Sequence, residues 1–161
     1  MFWIDHVGVV ARNLDESVTF YTQLFGQPID RVEWRGEHAA NVAHLMGRPP
    51  GLELDAVFFQ IPHTNAIFEV VHFRGLDQDQ VVAGNTDIGA THFGFHVEDI
   101  EATVARLGLT VSGQPMDLPI GPYRGGRSVY LKDPNGANIQ LMQLAGRPGR
   151  LPVLRPGDPP A

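Results

Sequence analysis

Cysteine is absent from the sequence, which excludes disulfides and thiolate metal sites and fits a reducing compartment. Lysine occurs once, at Lys132, and 18 acidic side chains outnumber 12 basic ones, for a formal net charge of −6. No Lys/Arg cluster supplies the basic stripe that a nucleic-acid groove needs, so no nucleic-acid partner is expected. The apolar runs fall far short of the roughly 20 residues that span a bilayer, and no basic-then-apolar leader follows Met1. No membrane partner is therefore expected, and the cytoplasm is the expected location. What remains is a chain of 161 residues, 43% hydrophobic and 19% charged, which suits a folded domain with its own core rather than a disordered chain.

Local patterning places the elements. Ile4 to Val10 reads as a strand, being rich in β-branched residues. Leu14, Val18, Tyr21 and Leu24-Phe25 recur at helical spacing, with Asn13 or Asp15 as N-cap and Gly26 as terminator. Strands follow at Ile29 to Trp34, Val57 to Ile61 and Ala66 to Phe73, with a turn at Pro62 to Asn65. The same order then returns: a strand from Thr91 to Val97, a helix capped at Glu98-Asp99 and ending near Gly108, and strands at Leu109 to Ser112, Arg127 to Leu131 and Asn138 to Leu144. His6-Val7-Gly8 aligns with His92-Phe93-Gly94, and Phe68-Glu69-Val70 with Ile139-Gln140-Leu141. Such internal self-similarity predicts an α+β domain over residues 1–145, made of two βαβββ repeats at about 1–75 and 88–145. The extra length of the first repeat falls in Glu37 to Leu54. Residues 146–161 hold five of the 13 prolines and no periodicity, which reads as a mobile tail.

Three residues sit oddly in this pattern. His6 and His92 occupy matching places in apolar strands of the two repeats. Glu69 lies in AIFEVVHF and shares its face with Ile67 and Val71; a carboxylate there is costly unless paired, protonated or metal-bound. Gln140 holds the place that matches Glu69. Two imidazoles, one carboxylate and one amide oxygen form a mixed N/O set that suits one divalent ion, whether Zn, Ni, Co, Mn or Fe. His38, His44, His63, His72 and His96 read as structural or surface residues.

The segments IDHVGVVARNLDESVTFYTQLFG, IFEVVHF, THFGFHVEDIEATVARLG and SVYLKDPNGANIQLMQL resemble the vicinal oxygen chelate superfamily. Glyoxalase I, methylmalonyl-CoA epimerase, extradiol dioxygenases, and bleomycin and fosfomycin resistance proteins belong to it. The resemblance implies a curved mixed sheet around a metal-containing cavity, with ligands from the first and last strands of each repeat. Carried over by position, these are His6, Glu69, His92 and Gln140. Family proteins often have glutamate in the last place, so Gln140 is a departure, although two His with one Glu and one Gln occur in the epimerase branch.

The activity implied by the resemblance is that of a metal-dependent lyase or isomerase, glyoxalase-like or epimerase-like. A small oxygen-bearing substrate chelates the metal, which stabilises an enolate or enediolate, while Glu69 moves the proton. An epimerase also calls for a second base, for which Glu53 and His44 are the available residues. A second reading is a metal-free binding or antibiotic-resistance protein of the same fold, its cavity lined by Trp34, Phe58 and Phe95. A third, an Fe(II) extradiol dioxygenase, fits less well because the carboxylate is not on the final strand. The Gly-rich GPYRGGRS at 121–128 offers Tyr123 and Arg124 as substrate-binding residues, Arg124 for a carboxylate or phosphate. A homodimer is a further expectation from the resemblance.

Overall fold

A computed structural model describes residues 4–81, 83–120 and 123–144; the tail read at 146–161 lies outside them. The chain divides into two compact units, residues 1–81 and 82–161, and each is an α+β unit built on one four-stranded mixed sheet.

In the first unit β1 (His6–Val10) leads into α1 (Leu14–Phe25), followed by β2 (Asp30–Trp34), α2 (Gly36–Leu45), β3 (Glu53–Gln60) and β4 (Ile67–Arg74). The sheet order is β1-β4-β3-β2; β1 runs parallel to β4, and the other neighbours are antiparallel. The helix starts where Asn13 accepts the Glu16 amide at 3.2 Å, and it stops at Gly26, whose φ of +89 disfavours a side chain. Its apolar face meets one side of the sheet: Tyr21, Phe59 and Phe68 are fully buried, with the Tyr21 and Phe68 rings 4.4 Å apart. Aromatic packing of this kind stabilises beyond the area it buries.

The other side of this sheet is covered at one end by α2. Ala43 packs with Leu54, Ala56 and Val71, flanked by Trp34, Val42, Phe58 and Phe73. The extra segment of the first repeat is thus a helix and the start of a strand. The strand expected at Val57 begins four residues earlier, and it carries a buried acid. Asp55 accepts hydrogen bonds from Arg35, ahead of α2, and from Arg74 Nε at 2.7 Å. Burial pushes the Asp55 carboxyl up, but the hydrogen bonds of the two guanidiniums outweigh it and hold the group below its ordinary value.

The second unit repeats the plan with shorter elements: β5 (His92–His96), α3 (Ile100–Leu107), β6 (Met116–Asp117), β7 (Arg127–Lys132) and β8 (Asn138–Gln143), in sheet order β5-β8-β7-β6. Asp99 caps α3 through the Ala102 amide at 2.7 Å, and Gly108 closes it in the left-handed conformation. Ile100, Leu131, Ile139 and Leu141 form the buried core. The strand expected at Leu109 to Ser112 is reduced to a single bridge between Val111 and Leu131; the edge is instead Met116–Asp117. Backbone pairing to β7 selects that edge, and no apolar alternation marks it.

The loop into β7 is tied down. Leu118 bonds through its carbonyl to the Gly125 amide and through its amide to the Gly126 carbonyl, both at 2.8 Å. A Cβ on Gly126 would lie 2.8 Å from the Gln143 carbonyl oxygen and 3.1 Å from that of Tyr123. Gly126→Ala is therefore expected to destabilise the protein by about 1–3 kcal/mol, as overpacking does, read as a lower midpoint in urea at unchanged slope. An unchanged midpoint would contradict this packing.

Candidate metal centre

The two parallel pairs, β1 with β4 and β5 with β8, carry the residues singled out above. In the first unit His6 lies opposite Ile67 and Gly8 opposite Glu69; in the second His92 lies opposite Asn138 and Gly94 opposite Gln140. The same register therefore recurs with the same residue types at the histidine and glycine places. In both, the acceptor side chain sits two rows along from the histidine and on its face of the sheet.

The first unit brings its pair together. His6 Nε2 is 4.0 Å from Glu69 Oε2, with the carboxylate about a quarter exposed and the imidazole about half exposed. His6 Nδ1 bonds to Asp5 Oδ1 at 2.7 Å, and Nε2 is the ring nitrogen on the side of Glu69. That hydrogen bond holds His6 above its ordinary pKa; partial burial opposes it, and the charge of Glu69 adds to it. A Cβ at Gly8 would come within 3.3 Å of Glu69 Oε2, so the missing side chain is what lets the carboxylate lie over β1.

In the second unit the Gln140 amide donates from Nε2 to Ser128 Oγ at 2.8 Å, and its Oε1 lies over Gly94, 3.9 Å from where a Cβ would be. The His92 ring meets Tyr130 edge-on at 5.5 Å. The neighbouring row is locked: Asn138 donates to the Thr91 carbonyl at 3.0 Å and accepts from Lys132, which also donates to the Ala83 carbonyl at 2.5 Å.

The ligand types suit a divalent cation. Nitrogen and oxygen ligands bind such ions at about 2.0–2.2 Å, which puts neighbouring ligands about 3.0–3.5 Å apart, so His6 Nε2 and Glu69 Oε2 at 4.0 Å share an ion by closing a further half ångström or more. A carboxylate on the distal imidazole nitrogen, here Asp5, is the usual support of a metal-binding histidine. Among the described residues no three His, Cys, Asp or Glu side chains gather into a group that could hold a metal ion; the contact seen is the His6–Glu69 pair.

Tyr123 is half-buried, with its ring 6.5 Å from that of His96, and Arg124 is exposed. Glu53 does not serve as the second base within its unit. It lies opposite Arg74 on the face of Asp55 and Phe59, away from that of Phe58 and Glu69, and it pairs with Arg35 at 3.5 Å. His44 is exposed on α2. The sequence reading missed Asp5, Ser128 and the two glycines as parts of the site. The glycines had a visible signal, since both belong to the repeated His-x-Gly.

The model of the Glyoxalase/Bleomycin resistance protein/Dioxygenase superfamily matches residues 3–141. The chain belongs to that superfamily. Among curated members, a 2-epi-5-epi-valiolone epimerase from an Actinomyces species is 29% identical over 157 residues, covering 90% of this chain and 81% of that protein. A lactoylglutathione lyase of Arabidopsis thaliana is 26% identical over 160 residues; these cover 95% of this chain but 49% of the relative, so the chain spans about half its length. A glyoxalase family protein from Bacillus cereus superposes with a TM-score of 0.74 at 22% identity, over 91% of this chain and 96% of that one. The fosfomycin resistance protein FosX of Listeria monocytogenes, in complex with Mn(II) and 1S,2S-dihydroxypropylphosphonic acid, gives a TM-score of 0.55 at 15% identity, over 92% of this chain and 93% of that one. At these identities the solved structures establish the fold. The superfamily thus includes an epimerase, lyases and a metal-binding resistance protein, all of which act on or bind small molecules. No helix among the described residues is long and apolar enough to cross a membrane.

Proposed function

We propose that the protein is a metal-dependent isomerase or lyase, epimerase-like in its chemistry, that uses a divalent ion with His6, Glu69, His92 and Gln140 as its ligands. The observation that carries the reading is the His6–Glu69 pair at 4.0 Å with its Asp5 support, echoed in register by His92 and Gln140. The likeness to the Actinomyces epimerase favours the isomerase over the lyase. When bound, the cation would polarise a carbonyl of a small oxygen-chelating substrate.

The remaining work falls to the protein. Asp5 presents the His6 Nε2, and Gly8 leaves room for Glu69 to approach. Glu69, half-buried beside an imidazole, takes the proton from the carbon next to that carbonyl; an isomerase or lyase of the glyoxalase type is completed when Glu69 delivers it to the adjacent carbon, and an epimerase when a second donor protonates the opposite face of the same carbon. Tyr123 and Arg124 are placed at the substrate, the guanidinium for an anionic group. The protein works as a homodimer, which light scattering tests directly.

Elemental mass spectrometry of tag-free protein tests the centre. Near-stoichiometric metal is expected in the parent and none in a His6→Ala/His92→Ala double variant, since losing two inner ligands costs more than the roughly 10- to 100-fold of losing an outer partner. Absence of metal in the parent after exposure to Zn, Ni, Co, Mn and Fe would sink the enzyme and leave a metal-free binding protein.

A further inference from the structure

We propose that Ser128 is a positioning residue that decides which end of the Gln140 amide faces the cation; this rests on the metal reading above. A carboxylate has two equivalent oxygens, but an amide has one oxygen and one NH2 group, and only the oxygen can ligate. A glutamine in a metal set therefore needs something to hold its nitrogen end away. A serine hydroxyl can accept from the amide nitrogen or donate to the amide oxygen; here the Ser128 hydroxyl, on a residue 4% exposed, accepts from Gln140 Nε2 at 2.8 Å, and Oε1 is left over Gly94.

The two repeats act as each other's control. Ser128 pairs with Met142, two residues on from Gln140. The matching residue of the first unit is Ala56, which pairs with Val71, two residues on from Glu69. Thus the repeat with the carboxylate has a methyl group at this place, and the repeat with the amide has a hydroxyl. The carboxylate needs no orientation and meets no hydroxyl from this place; the amide needs one and has it.

The consequence is a conditional dependence. Removing Ser128 should matter with glutamine at 140 and not with glutamate, because a carboxylate turned either way presents an oxygen. Affinities for Ni(II) and for Zn(II), each alone, are measured by titration calorimetry on metal-free protein for the parent, Ser128→Ala, Gln140→Glu and the double variant. Ser128→Ala is expected to weaken binding about 10- to 100-fold in the glutamine background, the usual effect of losing an outer partner, and to change it little in the Gln140→Glu background. Ser128→Thr, which keeps the acceptor, is expected to restore binding. An equal loss in both backgrounds, or no loss in either, overturns the role of Ser128 while leaving the metal centre standing. No uptake of either ion by the parent overturns the metal reading and this proposal with it.

Discussion

Glu69→Gln is expected to lose the chemistry even when the metal is restored. The amide retains an oxygen that can ligate but cannot take a proton, and with Ala56 rather than a hydroxyl at the matching place it binds the ion about 10- to 100-fold more weakly; at metal saturation proton transfer still falls about 100- to 10,000-fold, the range that general-base catalysis supplies. The measurement is deuterium uptake from D2O into a small hydroxy ketone whose two oxygens can chelate the ion, at matched metal occupancy. Parent exchange with the variant silent assigns the base. Exchange at the parental rate in the variant would move the proton to another residue, and Glu69 would then be a ligand only. A collapse of metal content along with exchange would show that Glu69 is needed chiefly to hold the ion.

The largest effect on stability is expected at Asp55. Its carboxylate is 2% exposed as a residue, between Arg35 and Arg74, which come from 20 and 19 positions away in the chain. Asp55→Asn keeps the volume and removes the charge, leaving two guanidiniums without their shared acceptor. Breaking a buried pair on one side costs about 3–5 kcal/mol; Arg74 is half exposed, so the lower end of that range is expected. The acid response follows from the lowered pKa of this group. The stabilisation is present above the unfolded-state value, about 3.9 for aspartate, and is lost as the pH falls through the folded value below it. Denaturant midpoints of parent and variant should therefore lie far apart at neutral pH and converge in acid. A gap that stayed constant below pH 4 would show that the loss comes from packing rather than from charge.

The sequence by itself determined the βαβββ order and the doubling, and it offered His6, Glu69, His92 and Gln140 as candidates. The order and the doubling rest on local physics: alternation in strands, the 3.6-residue period of Leu14, Val18 and Tyr21, caps at Asn13 and Asp99, and motifs that recur in the same order. Where local signals were weak, the reading missed. The helix α2 has Ala39, Val42 and Ala43 at helical spacing, but alanines mark an apolar face faintly, and packing on Ala56 and Val71 settles it. The strand β3 starts four residues before the apolar run at Val57 to Ile61, and only the arrival of two distant arginines makes the burial of Asp55 tolerable. The edge Met116–Asp117 exists through its pairing with β7.

Tertiary structure alone decided which atoms face which. That Glu69 lies close over Gly8, that Gln140 lies over Gly94, and that Ser128 meets the nitrogen end of Gln140 all depend on parallel or antiparallel register between segments far apart in the chain. Register is set by which faces can be buried together when strands pair, a property of the assembled sheet, so it leaves no mark within any one segment.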